Sequence, residues 1–161
     1  MLAEASGAIL LGSGHTTRGG EKTMSTKENE AAVRACFENA SQGNFDALDD
    51  IVTSDYVLHP GEVRGADGLK DMVRRYRDAL SGLTVTIDQQ FTDGKYVATR
   101  YTITGTHDGN LMGTPPSGKD VAFTGITISR CEDGRIAEEW EITDTVGLLG
   151  QIGALPAMAE A

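Results

Sequence analysis

Residues 66–104 read ADGLKDMVRRYRDALSGLTVTIDQQFTDGKYVATRYTIT, and their hydrophobic period changes part-way through. Leu69, Met72, Val73, Tyr76 and Leu80 recur at helical spacing, which predicts a helix from about Ala66 to Leu80. After Ser81 and Gly82 the period drops to two: Leu83, Val85 and Ile87 alternate with Thr84, Thr86 and Asp88. Asp93-Gly94 is a hairpin turn signal. Beyond it Val97, Thr99, Tyr101 and Ile103 alternate with Ala98, Arg100, Thr102 and Thr104.

Upstream of this stretch the pattern is helical. Thr26, followed by Glu28 and Glu30, opens a helix on which Val33, Cys36, Phe37 and Ala40 share a face. Gly43-Asn44 ends it. A short second helix covers Phe45 to Ile51, and Tyr56-Val57-Leu58-His59 is a short extended stretch stopped by Pro60-Gly61. Downstream, a strand runs from about Val121 to Arg130, a turn follows at Glu132-Asp133-Gly134-Arg135, and a last strand spans Ile136 to Thr145. Helices first and hairpin-linked strands after them mean an α+β domain with a curved antiparallel sheet, not alternating βαβ units.

The chain has 161 residues, enough for one domain with its own core. Met24-Ser25-Thr26-Lys27 looks like a natural start. Residues 1–23 are therefore read as a disordered extension and 24–161 as the single domain; the leading segment lacks the basic start and long apolar stretch of a signal peptide. Fourteen Lys and Arg stand against 24 Asp and Glu, a formal charge of −10, which argues against a nucleic-acid partner. No apolar run approaches the ~20 residues of a membrane span. Cys36 and Cys131 form no CxxC pattern and are read as reduced thiols of a cytoplasmic protein.

Several motifs fail on their chemistry. Gly113 to Lys119 matches the start of a phosphate-binding loop, but Asp120 stands where a hydroxyl is needed. Pro115 and Pro116 offer no N–H, and a strand follows instead of a helix. His15, His59 and His107 sit at no metal-ligand spacing, and no nucleophile elbow occurs. Neither a phosphate-binding loop nor a metal site is expected from these motifs.

The last strand carries the strongest chemical clue. Side chains alternate along a strand, so Ile136, Glu138, Trp140, Ile142 and Asp144 form one set. With the only Trp and two Ile, that set is expected to face the interior, taking Glu138 and Asp144 with it. A carboxyl in apolar surroundings has a raised pKa and can carry protons at neutral pH. The plainer alternative for Asp144 is a strand-end residue at the rim, hydrogen-bonded to backbone or solvent. His107 shares parity with Val97, Tyr101 and Ile103, and His59 precedes a turn-fixing proline; each is either a core histidine or a site residue.

Together, Thr104-Gly105-Thr106-His107-Asp108-Gly109, the Gly113 to Lys119 turn, Asp133-Gly134-Arg135-Ile136, Glu139-Trp140, Asp144, Gly147-Leu148-Leu149 and Gln151-Ile152-Gly153 resemble the SnoaL-like polyketide cyclases (ester cyclases). The resemblance spans about Lys27 to Leu155. It implies a cone of the nuclear-transport-factor-2 and ketosteroid-isomerase type, with a curved sheet wrapped around helices and an apolar cavity, paired through the sheet as a homodimer or larger homo-oligomer. It also implies one Asp near the end of the last strand as acid/base for an intramolecular aldol closure, without metal or cofactor. Asp144 falls on that position, and His59 on one where the family often carries His. The preceding strand, Ile126 to Arg130, has no His, which leaves Arg130 as an enolate stabiliser or a surface residue.

The reading that follows is a cofactor-independent cyclase or isomerase acting on a small carbonyl or polyketide-like compound. Asp144 is the acid/base, His59 and His107 hold the carbonyls, and Trp140, Tyr56, Tyr101 and Met112 line the cavity with Glu138 and Arg130 beside them. The alternatives are a non-catalytic binder of an apolar molecule, with Asp144 neutralised by a partner such as Arg130, and a hydrolase or dehydratase in which Asp144 activates water.

Overall fold

The structure is a computed structural model that describes residues 26–61 and 63–155. The reading of residues 1–23 lies outside the described residues. Two helices come first, α1 (Thr26–Gln42) and α2 (Leu48–Ile51), then strands β1 (Val52–His59) and β2 (Val63–Arg64) and helix α3 (Gly65–Ala79). Four long strands follow: β3 (Leu80–Asp93), β4 (Tyr96–His107), β5 (Asp120–Glu132) and β6 (Arg135–Thr143). Helix α4 (Thr145–Ile152) closes the described chain. No described helix is long and apolar enough to cross a membrane.

The sheet has six strands in the order β2-β1-β6-β5-β4-β3, curved and not closed into a barrel. β3 to β6 form an antiparallel meander. β1, which leaves α2 and returns to the far edge of β6, runs parallel to it, so the sheet is not antiparallel throughout. The β5–β6 connection is a two-residue turn with positive φ at both Asp133 (47°) and Gly134 (76°), the geometry whose twist matches the flanking strands. The second helix is shorter than the Phe45 start expected for it, because residues 46 and 47 form a turn.

Two apolar clusters hold the helices to the inner face of the sheet. Val33 and Cys36 of α1 meet Leu48, Tyr56, Leu58, Leu69, Val73 and Ile136 in one. Ala79, Leu80, Phe123, Leu148 and Ile152 form the other. The helical stripe read on residues 69–80 therefore faces the core as expected.

On β6 the expected alternation breaks at a single residue. Cys131 of β5 pairs with Ile136, but the next pairs are Arg130 with Glu138 and Ser129 with Glu139, which leaves Ala137 as an extra residue. A bulge of this kind inverts every side chain beyond it. Ile136 is buried, as predicted, and so is Ala137. From there Glu139, Glu141 and Thr143 turn inward, whereas Trp140 (40% exposed) and Ile142 (81% exposed) turn out. The expectation that Glu138, Trp140, Ile142 and Asp144 share the interior with Ile136 is corrected on this point. The strand also stops at Thr143 rather than Thr145, because Asp144 caps α4.

Candidate functional site

A cavity of about 90 Å³ lies between the helices and the sheet. Phe37 and Cys36 of α1, Met72 and Tyr76 of α3, and Leu83 and Ile103 of β3 and β4 supply apolar wall. The polar part of the wall comes from the sheet: Tyr101 on β4, Thr127 on β5, and Glu139, Glu141 and Thr143 on β6. Among the described residues, no Lys, Arg or His lines it.

Three cross-strand rows build the polar wall. Val97, Ser129 and Glu139 stand opposite one another, then Thr99, Thr127 and Glu141, then Tyr101, Gly125 and Thr143. Glu139 is 5% exposed and fully engaged: Ser129 Oγ donates to Oε1 at 2.5 Å, and Tyr56 OH donates to Oε2 at 2.5 Å. Glu141 has one donor, the hydroxyl of Tyr101, which also lies 3.3 Å from Thr143 Oγ1. Burial raises the pKa of Glu139 against the two hydroxyl bonds that lower it, and the charge of Glu141 adds to the rise. Burial also raises Glu141, with the Tyr101 bond opposing. Both are carboxyls made readier to hold a proton by an apolar surrounding.

Gly125 explains how Tyr101 gets there. A Cβ at this position would sit 2.3 Å from the Tyr101 hydroxyl oxygen and 2.4 Å from Cζ. The phenol therefore lies across the bare backbone of β5 to reach Glu141 on β6. Phe37 packs on the ring, centroid to centroid 5.0 Å.

Of the residues singled out from the sequence, Tyr101 lines the cavity and Tyr56 stands behind it, holding Glu139. The others do not. Asp144 is exposed, and its Oδ1 accepts from Gly147 N at 2.8 Å as the N-cap of α4. That is the rim alternative, with one helix-terminal N–H satisfied. Trp140, His59, Glu138 and Arg130 come together, but on the outer face of the sheet. There His59 stacks on Trp140 at 5.7 Å and pairs through Nε2 with Glu138 at 3.0 Å, and Arg130 Nε reaches the same carboxylate at 3.1 Å. His59 first, then Arg130, hold Glu138 below the usual carboxylate range. Arg130 also pairs with Glu132, so it does not neutralise Asp144. His107 is fully buried, but its Nδ1 accepts from Ser117 N at 3.2 Å and fixes the loop before β5. Met112 is 56% exposed on that loop.

The residues that the sequence reading missed are Glu139, Glu141, Ser129, Thr127, Thr143 and Gly125. One signal for them was available. The apolar parity of β5 switches from Val121 and Phe123 to Ile126 and Ile128, so its even-numbered Ile and the even-numbered Trp140 and Ile142 belong together on one face. Among the described residues, no three His, Cys, Asp or Glu gather as a metal-ligand set.

Known proteins share this architecture. The model of the SnoaL-like polyketide cyclases matches residues 30–152. The chain belongs to that family. Aklanonic acid methyl ester cyclase DnrD of Streptomyces peucetius is 27% identical over 128 residues, covering 75% of this chain and 88% of DnrD. Among solved structures, TsrD from Streptomyces laurentii superposes with a TM-score of 0.77 at 27% identity, over 82% of this chain and 99% of TsrD. IdmH from Streptomyces antibioticus gives 0.70 at 29% identity, over 78% and 98%. The family's cone, with helices against a curved sheet and a hollow between them, is therefore the fold of this chain.

Proposed function

We propose that the chain catalyses a cofactor-independent, acid/base-driven ring closure on an uncharged carbonyl compound of the polyketide type. The observation that carries this reading is the pairing of Glu141 with Tyr101 in the wall of an apolar hollow that, among the described residues, no cationic side chain lines. Glu141 takes a proton from a carbon flanked by carbonyls. Tyr101 fixes the carboxyl, and the Thr127 and Thr143 hydroxyls face the enolate oxygen. The enolate carbon then bonds to a second carbonyl carbon of the same molecule; that C=O π bond breaks, and the alkoxide takes up a proton from the wall. Positioning, and charge stabilisation out of water, supply most of the rate gain.

At about 90 Å³ the hollow is smaller than the ~300–1,000 Å³ pockets that bury drug-sized ligands. It suits a small carbonyl compound or the reacting end of a larger one. A second reading gives the base to Asp144, one residue beyond the cavity-lining Thr143 and at the position where the family resemblance puts its Asp. The test uses aklanonic acid methyl ester, the compound named for the relative DnrD, and a panel of small 3-oxoesters bearing a second carbonyl. A ring-closed isomer of unchanged mass supports the reading. Oxygen entering the product from labelled water contradicts it and points to hydrolysis.

The outer face supports a homodimer. Ile142 pairs across strands with Ile126, and Trp140 with Ile128, and all four are exposed to between 40% and 81%. A contiguous apolar patch of this kind marks a contact surface. We expect light scattering to find a dimer, and Ile126→Asp combined with Ile142→Asp to weaken it at least tenfold while the monomer stays folded. A monomer in the parent protein contradicts the assignment.

A further inference from the structure

We propose that Glu139 and Glu141 work as a carboxyl pair carrying one proton between them, Glu141 as the base that opens the reaction and Glu139 as the acid that protonates the new alkoxide. The inference rests on the ring-closure reading and deepens it by naming the group that returns the proton.

Both residues point inward from β6, two apart on one face, and both line the same hollow. Two ionised carboxylates two residues apart on one face of a largely apolar hollow repel each other and forgo hydration, so one of them keeps a proton. Glu139 is the deeper of the two: it is buried, whereas Glu141 is partly exposed. The groups around Glu139 are Cys36 from α1, Tyr56 from β1, Ser129 and Cys131 from β5, and Glu141 from its own strand. None is a cation, and burial holds both thiols in the neutral form, Cys131 with a pKa pushed up to about 11. The neighbouring Arg130 is engaged by Glu138 on the outer face. The proton thus stays on Glu139. Both its partners are hydroxyls, which donate or accept, so the site remains hydrogen-bonded with Glu139 in either state.

The cycle balances. Glu141 carboxylate takes the carbon-bound proton and becomes the acid. The enolate carbon forms the new C–C bond as the acceptor C=O π bond breaks, and the alkoxide oxygen takes the Glu139 proton, leaving Glu139 ionised. A proton passing from Glu141 to Glu139 restores the pair, and no other reactant is consumed.

The pair gives a bell-shaped pH profile with its sign fixed: rate rises as Glu141 ionises and falls as Glu139 does. Carbon-13 NMR of protein labelled at the glutamate side-chain carboxyls, near pH 7, should show one protonated carboxyl that is missing in Glu139→Gln. In Glu141→Gln, which leaves Glu139 in place, that carboxyl should titrate at lower pH because the neighbouring charge has gone. Kinetically, Glu139→Gln should lower kcat more than tenfold with KM nearly unchanged and lose the alkaline limb. The proposal is overturned if every glutamate carboxyl of the parent is ionised at pH 7, if the protonated signal survives Glu139→Gln, or if Glu139→Gln keeps the parent's kcat and alkaline limb. A parent protein that closes no ring would sink the ring-closure reading instead, and the carboxyl signals would still decide the pair.

Discussion

Glu141→Gln is expected to fold, to bind substrate with nearly the parent KM, and to lose roughly 10²–10⁴-fold in kcat, the usual worth of a positioned acid/base group. The amide keeps the volume of the side chain and can still accept from the Tyr101 hydroxyl at the same place in the wall. What it removes is the basic carboxylate that takes up the carbon-bound proton. A loss in kcat alone marks an interaction made on the way to the transition state, whereas a rise in KM alone would mark simple binding. Asp144→Asn is the contrasting variant. Asn is as good an N-cap as Asp, so α4 keeps the Gly147 N–H bond and turnover should stay within a fewfold of the parent.

The second large effect is expected at a residue with no side chain. Gly125→Ala places a methyl group where the Tyr101 hydroxyl now lies, and the flat phenol has no soft end that can yield. Overpacking of this kind costs about 1–3 kcal/mol. Its larger consequence is that the hydroxyl is pushed off Glu141, and misplacement by an ångström is enough for about 10²-fold in rate. Tyr101→Phe removes the same bond without the clash. If the glycine acts through the tyrosine, the double variant should lose little more activity than Gly125→Ala alone. Denaturant unfolding separates the stability cost from the kinetic one.

Much of the fold was legible because period and turn chemistry agree. The stripe from Leu69 to Leu80, the alternation after Gly82 and the Asp-Gly turns at 93–94 and 133–134 each name an element and its neighbour, and the structure has all of them. Helix α4 was harder to read: Gly147 and Gly150 interrupt it, and glycine weakens a helix. Its stability comes from Leu148 and Ile152 packing on the sheet. The parallel pairing of β1 with β6 is set by a long-range return that leaves no local trace.

The candidate site was legible only in kind. An acid facing an apolar hollow from the last strand is what the structure contains, but it is Glu139 and Glu141 rather than Asp144 that face it. One extra residue at Ala137 moved the set. A bulge has no strong sequence signature, and here the composition misled. The only Trp lies outside, on a face where Ile126, Ile128 and Ile142 are exposed in the single chain, while the inner face carries Thr, Ser and Glu. Hydrophobicity alone does not say which face of a strand meets the core of its own chain, and in the homodimer proposed above this outer face would be the covered one.

Proton abstraction can be followed without waiting for ring closure. Incubating the parent, Glu141→Gln and Asp144→Asn with a small 3-oxoester in deuterated water, and following by NMR the loss of the proton between its two carbonyls, isolates that step. Enzyme-catalysed exchange is expected in the parent and in Asp144→Asn, and only the uncatalysed rate in Glu141→Gln. Exchange that persists in Glu141→Gln and vanishes in Asp144→Asn would contradict Glu141 as the base and hand the chemistry to the rim.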